Sequence, residues 1–337
     1  MPSIWKLLSC LVATIVLSAA TAFAQAPAAS PQTPGASPAT CKIGVFFVDL
    51  HQLDIQKRSF NANFWVWSVC ASSAQRTPLK VMEFVNANST SGTLDQTTKR
   101  EELIWSARKV DGSFRQEWDV RNFPFDRHVL TVAMEEGVDD TNAFRYQPDP
   151  RSGFDKDVVV PGWRVTGFRL KPAEREYDTT FGDPSLPADA WARYSRLEAQ
   201  ISISRTNKFT SFFKLASVVY VAATLALLSF LFHLDSGGSF GSRISFLAGA
   251  LFATVINMRV ASTELGTNDG LTLMDLIHIT ALILIITATV LTIVADRQLE
   301  TGKKQSVRRF DFRNAIICAT VFIVANVALI VHAAIRG

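Results

Sequence analysis

The chain has 337 residues, 48% of them hydrophobic, with a positive mean hydropathy and a formal net charge of +4. That length suits one large or two ordinary domains, and the hydrophobic share is high for a soluble protein, so a membrane protein is the first candidate. The lysines and arginines form no basic stripe interleaved with aromatics, which sets nucleic acid aside, and no phosphate loop, nucleophile elbow, zinc-protease helix or metal-ligand spacing gives enzymatic chemistry, a cofactor or a metal a foothold.

Residues 1–24 carry one basic residue, Lys6, then an apolar run from Leu7 to Ala20 and a small-residue ending, Ala22-Phe23-Ala24. This is the pattern of a secretory signal peptide, with a retained signal anchor as the alternative. Residues 25–40 are rich in Pro, Ala, Ser and Thr. Such a segment lacks the apolar side chains that offset the entropy of ordering, and it reads as a disordered leader. After export, Cys41 and Cys70 would lie in an oxidising compartment.

From residue 41 to about 207 the signal is period-two alternation broken by turn residues, which predicts an antiparallel, immunoglobulin-like β-sandwich. Cys41 to Phe47 and Phe64 to Cys70 pair as a hairpin turning at Ile55-Gln56, with Asp54 opposite Lys57. In that register Ile43, Val45 and Phe47 face Ser68, Val66 and Phe64, and Cys41 faces Cys70, which predicts a disulfide between them. Further strands are expected at Glu102 to Lys109, Arg127 to Glu135, Gly162 to Leu170 and Arg196 to Ser204. The tryptophans Trp65, Trp67, Trp105, Trp118 and Trp163 read as core or inter-sheet residues.

From residue 208 to 337 four apolar segments follow: Phe209 to Phe232, Ile244 to Ser262, Thr272 to Ala295 and Asn314 to Ile335. Each is long enough to cross a bilayer as a helix, for which about 20 residues are needed. The connector between the third and fourth holds Arg297, Lys303, Lys304, Arg308, Arg309 and Arg313, whereas the charges between Glu264 and Gly270 are acidic. The positive-inside rule places the basic connector in the cytoplasm and the sandwich outside. The expected location is a bacterial inner membrane, with membrane lipid around the helices and the sandwich in the periplasm.

The second segment holds Ser245, Gly249, Thr254, Asn257 and Arg259, too many polar groups for lipid exposure. Ser245, Gly249, Phe252, Ile256, Arg259 and Thr263 recur at spacings of three and four and form one helical stripe. Repeated around a ring, such a stripe lines a pore. The alternative is that Asn257 and Arg259 bond to neighbouring helices.

A sandwich, three closely spaced helices, a linker and a fourth helix resemble the Cys-loop receptor superfamily, particularly its prokaryotic pentameric channels. The most specific motif is Asp119-Val-Arg-Asn-Phe-Pro-Phe-Asp126, similar to the family's Phe-Pro-[Phe/Met]-Asp loop tip. Supporting matches are the hairpin from Val45 to Trp67, Trp163 after Pro161-Gly162, the strand ending at Arg205, and the entry from Thr272 to Ile279 into the third helix. The chain departs from the family pattern in having no cysteine pair around the loop tip and no proline in the first helix.

The resemblance implies a homopentamer in which a small-molecule or ion ligand binds the sandwich and a pore along the second helix opens. It assigns coupling to Asp54, Asp119, Phe123, Pro124, Phe125, Asp126, Arg205 and Glu264, with an ion pair between Asp126 and Arg205. It maps the pocket loosely onto Glu83 to Asn88, Glu135 to Tyr146 and Tyr177 to Tyr194, where Tyr177, Phe181, Trp191 and Tyr194 suit an amine. Glu135, Glu136, Asp139 and Asp140 suit a divalent cation, a proton or plain solvation. Gly241-Ser242-Arg243 resembles the inner end of anion-selective members, and Arg259 adds positive charge, while Asp235, Glu264 and Asp269 argue for cations. Two other readings stay open: a non-conducting membrane-tethered binding module, and a transporter or membrane enzyme with an appended sandwich, for which Asp275 and His278 are the candidate residues.

Overall fold

The computed structural model describes residues 37–182, 187, 190–232, 234, 239–266, 270–301 and 304–337, less the side chains of residues 93, 94, 304 and 305. The signal peptide and most of the leader lie outside the described residues, as do Asp235 and Asp269. Residues Pro38–Gly337 form one unit. Ten strands precede four long helices among the described residues.

Alternation builds the opening hairpin. β1 (Ala39–Asp54) pairs with β2 (Ser59–Ala71) in the anticipated register, Cys41 opposite Cys70, Val45 opposite Val66 and Phe47 opposite Phe64, and these side chains are buried. A disulfide joins Cys41 and Cys70, whose Cα atoms are 4.5 Å apart. Two register shifts, between Phe47 and Asp49 and between His51 and Asp54, then move the pairing so that Asp54 faces Ser59 and not Lys57. The turn therefore spans 55–58 and is longer than the sequence pattern suggested. Each extra residue on β1 breaks the strict alternation on which a hairpin register is read.

Two sheets result. The first runs β4 (Ala87–Arg100), β5 (Leu103–Arg115), β2, β1, β7 (Phe144–Pro148), with β8 (Gly153–Phe154) also on β1. The second runs β3 (Met82–Phe84), β6 (Arg127–Asp140), β10 (Ala192–Arg205), β9 (Trp163–Tyr177). Most pairings are antiparallel, but β1 meets β7 and β8 in parallel, so the sandwich is not purely antiparallel as expected. The same β7 pairing takes Ala39 and Thr40 out of the expected leader and into β1, because ladder bonds come from the backbone whatever the side chains. Sequence reading also passed over β4, whose residues include Asn88, Ser89, Thr90, Thr97 and Thr98 and whose sheet partner is β5 alone. An edge strand exposed on both faces carries no apolar alternation to detect.

Phenylalanines and aliphatics fill the space between the sheets. Phe47, Phe60, Phe64 and Phe114 come from the first sheet; Leu130, Met134, Leu197, Ala199 and Ile201 come from the second, on alternate positions. Of Trp65, Trp67, Trp105, Trp118 and Trp163, Trp118 is buried and the other four are partly so.

The helices are α1 (Lys208–Leu228), α2 (Ser239–Leu265), α3 (Leu273–Glu300) and α4 (Lys304–Arg336). All four are long and apolar enough to cross a membrane. A capping box starts α3: Thr272 Oγ1 accepts from Asp275 N, and the Asp275 carboxylate accepts from Thr272 N. Asp275 is thus occupied at its own helix end. His278 bonds across helices: its Nε2 accepts from Asn257 Nδ2 at 2.9 Å, and the same amide nitrogen donates to Leu215 O of α1 at 2.8 Å. One buried amide ties three helices together.

Candidate functional site

The junction between sandwich and helices is built from segments far apart in the chain. β6 and β10 pair with Ser204 opposite Arg127, so the next residues outward, Asp126 and Arg205, are neighbours by register. Arg205 Nε donates to Asp126 Oδ1 at 2.8 Å and Oδ2 at 3.0 Å. Asp126 is only 2% exposed. The guanidinium lies between two rings, 4.6 Å from the Phe123 centroid and 4.3 Å from that of Trp163. Such stacking suits a planar, weakly hydrated cation better than an ammonium.

Sequence reading missed the third member. His128 Nε2 lies 2.7 Å from Asp126 Oδ2, and its ring packs edgewise on Trp118 and Trp163. It follows Asp126 by two residues at the start of β6, so strand period alone puts both on one face. Burial raises the Asp126 pKa, but hydrogen bonds from His128 and Arg205 and the Arg205 charge outweigh it, and the carboxyl titrates below its ordinary range. Asp119 is also lowered, chiefly by the hydrogen bond from Arg121 and against a burial effect.

Two hydrogen bonds to backbone carbonyls carry this region onto the helices. Gln56, in the β1–β2 turn, donates from Nε2 to Thr263 O in the last turns of α2 at 2.8 Å. Leu273 N, at the start of α3, donates to Arg121 O at 2.8 Å. Gly266 follows α2 with φ of +72°, and a Cβ there would lie 3.4 Å from Ile55 O. The end of α4 reaches the same loop, Gly337 packing against the Phe125 backbone. Asp54 holds the turn in shape by accepting from Lys57 N at 2.8 Å, and that bond is the main reason its pKa is lowered. Pro124 follows Phe123 in the loop through a cis peptide bond. Glu264 is exposed and lines a cavity of about 510 Å3 with Ile55, Phe123, Arg205 and Lys214.

On α2 the buried positions are Arg243, Leu247, Ala250, Thr254, Asn257, Ala261 and Leu265. Ser245, Gly249, Phe252, Ile256, Arg259 and Thr263 each follow one of the first six by two residues, about 200° around the helix. All of them are exposed. The stripe therefore points directly away from α1 and α3. Asn257 is buried and bonds its neighbours, as the alternative reading held; Arg259 is exposed instead. Glu264 lies about 140° from Arg259 and off the stripe.

Arg243 corrects one expectation. It is fully buried and does not lie on the exposed stripe. Its guanidinium donates to Asp311 Oδ2 of α4 at 2.7 Å and, through Nε, to Phe232 O at 2.9 Å. An arginine paired with an acid on another helix is lost as a free charge.

At the far end of the second sheet, Tyr177, Phe181 and Tyr194 form a ring cluster with centroids 5.3 to 6.3 Å apart. Phe181 is 64% exposed and has φ of 55°; Trp191 is also exposed, just before β10. Glu135 accepts from Tyr177 Oη at 2.8 Å and Arg196 Nε at 2.6 Å, and Glu83 stands opposite it across the β3–β6 ladder. Glu83 to Asn88 and Glu135 to Tyr146, onto which the resemblance maps the pocket, are mostly strand. Their acids are largely committed: Glu136 accepts from Tyr146 Oη at 3.0 Å, Asp139 pairs with Arg76, and Asp140 caps the turn at Asn142 and Ala143. Among the described residues no group of three His, Cys, Asp or Glu is placed to hold a metal. No family model and no curated protein matches the chain.

Proposed function

We propose that the chain is a subunit of a homopentameric ligand-gated ion channel, with an immunoglobulin-like sandwich in the periplasm and a pore along α2. The observation that carries this reading is the α2 stripe, which presents Ser245, Gly249, Arg259 and Thr263 opposite the helix's buried face. A charged side chain turned to lipid costs up to about 3 kcal/mol at the bilayer centre and less toward a helix end, where Arg259 lies six residues from the last residue of α2. Copies of the chain arranged with the stripe inward give these groups water, and leave Phe252 and Ile256 as an apolar constriction that closes by dewetting.

The tie from the β1–β2 turn and from Arg121 in the Asp119–Asp126 loop to the two ends of the α2–α3 connector supports gating by the sandwich. The Tyr177, Phe181 and Tyr194 cluster near Glu83 supports an organic cation as ligand, since Glu135 is already neutralised by Arg196. With Arg243 buried, Arg259 is the charged side chain on the described stripe, which favours anions.

The test is current from the purified protein in planar bilayers, with amines, protons and calcium applied on the sandwich side. Phe252→Ser should raise spontaneous opening, and Arg259→Glu should shift the reversal potential in a salt gradient toward cations. Absence of current under all conditions, with intact oligomers, would favour the membrane-tethered binding module.

A further inference from the structure

The outward face of the second sheet separates charge by sign. Residues 41–207 hold 22 Lys and Arg against 23 Asp and Glu, so the sandwich as a whole is close to neutral. On β9 the acids Glu174 and Glu176 are paired, with Arg145 at 2.9 Å and Arg193 at 3.1 Å. They stand opposite Ser195 and Arg193 of β10, on the side of the strand that Leu197 and Ala199 bury. Arg164, Arg169 and Lys171 lie on the other side, opposite Ser204, Gln200 and Glu198. Arg127 of β6 faces Ser204 from the opposite flank of β10. All four bases are exposed, and none of their side chains has an ion pair or hydrogen bond among the described residues. Glu198, the acid in this area, accepts from Gln200 Nε2 at 3.0 Å. A charged outer strand is guarded against pairing with another sheet, but guarding works with charge of either sign, and on β9 only bases are left unpaired.

Spacing sets the shape of the complement. At about 3.3 Å per residue, Arg169 and Lys171 stand roughly 17 and 23 Å along β9 from Arg164, and Arg127 lies about 10 Å across from it. No single phosphate or carboxylate spans that distance. A headgroup layer roughly 5–8 Å deep, meeting the sandwich at the junction, does not reach the upper two bases. The complement is therefore an extended polyanion. Protein interfaces centre on buried aromatic or aliphatic anchors, and single-stranded nucleic acid needs aromatic stacking platforms. This part of the face supplies neither, because apart from the bases and Val129 its outward residues are small or polar, among them Ser202, Ser204, Thr131 and Gln200.

We propose that this face, from Arg127 and Arg164 up to Lys171, docks an extended acidic polysaccharide. Its carboxylates accept from the guanidinium and ammonium groups, and its hydroxyls exchange hydrogen bonds with Ser202, Ser204 and Gln200. The proposal concerns the sandwich alone and stands apart from ion conduction.

The test is surface plasmon resonance of the full chain, held in nanodiscs of phosphatidylcholine, over immobilised polygalacturonate, with neutral dextran as the reference surface. Wild type should bind polygalacturonate and not dextran. The double variant Arg169→Gln with Lys171→Gln should weaken binding by roughly tenfold, as expected for loss of two exposed charge-assisted contacts. Lys99→Gln with Arg100→Gln removes the same charge from exposed positions on β4 of the first sheet and should leave binding unchanged. Equal binding to the two surfaces, or equal weakening in the two double variants, overturns the proposal. Two further surfaces separate the occupants: polyglutamate or single-stranded DNA bound as tightly as polygalacturonate, with the same loss in the β9 variant, would show that the face reads charge alone, and the polysaccharide assignment would be wrong.

Discussion

Asp126 bridges two bases at the foot of the sandwich, its Oδ1 accepting from Arg205 Nε at 2.8 Å and its Oδ2 lying 2.7 Å from His128 Nε2. Removing one partner from a buried pair strands the other, so Asp126→Ala should cost about 3 kcal/mol, measured by denaturant or thermal unfolding in detergent. Exchanging the charges, Asp126→Arg with Arg205→Asp, should not restore stability, because the carboxylate at 205 would face the π-clouds of Phe123 and Trp163. Recovery in the double variant would show that the rings contribute little.

The same carboxyl sets an acid limit. Its folded pKa is lowered, so it contributes stability that is present above the unfolded value of 3.8 and lost as pH falls through the folded value. Wild type should therefore lose stability in that window more steeply than Asp126→Asn. Parallel pH profiles of melting temperature for the two proteins would count against the assignment.

Glu136 should behave in the opposite sense. Burial raises its pKa above 4.5, more than the Tyr146 hydrogen bond lowers it. A raised carboxyl contributes stability below its unfolded pKa and loses it as pH rises through the folded value. Glu136→Gln keeps an acceptor for Tyr146 and removes the charge, so its melting temperature should exceed that of wild type at neutral pH and converge with it in acid. A constant difference across pH would refute the linkage.

Gln56 offers a test of transmission, since its amide is the direct side-chain link from the β1–β2 turn to α2. Gln56→Ala should leave the unfolding of the sandwich within about 0.5 kcal/mol of wild type. A net hydrogen bond of about 1 kcal/mol corresponds to a roughly fivefold change in the opening equilibrium. Under the proposed channel function, dose-response curves for an activating ligand would read it. Unchanged gating would place transmission on the remaining contacts, those of Leu273 with Arg121, Gly266 with Ile55 and Gly337 with Phe125.

The Cys41–Cys70 bridge closes a loop with a sequence separation of 29. Chain entropy for a loop of that length amounts to about 3–4 kcal/mol. Cys70→Ser, or reduction of the wild type, should destabilise the sandwich by roughly 2–4 kcal/mol in denaturant titrations.

Much of the architecture was legible from local pattern, because alternation and helical stripes are consequences of which side faces apolar neighbours. The register of β1 on β2, the facing cysteines, the strand from Arg196 to Ser204 and the α2 stripe all follow from periods of two and 3.6. Where the local period breaks, the tertiary structure decided: the bulges that lengthen the 55–58 turn, the polar edge strand β4, and the parallel pairing of β1 with β7. Partnerships between distant residues lay beyond the sequence for the same reason. Arg243 looks like a pore-mouth charge until α4 brings Asp311 to it, and His128 looks like one more strand residue until Asp126, Trp118 and Trp163 close around it. A charge is free or spent according to its neighbours in space, and only the packing of the segments supplies those neighbours.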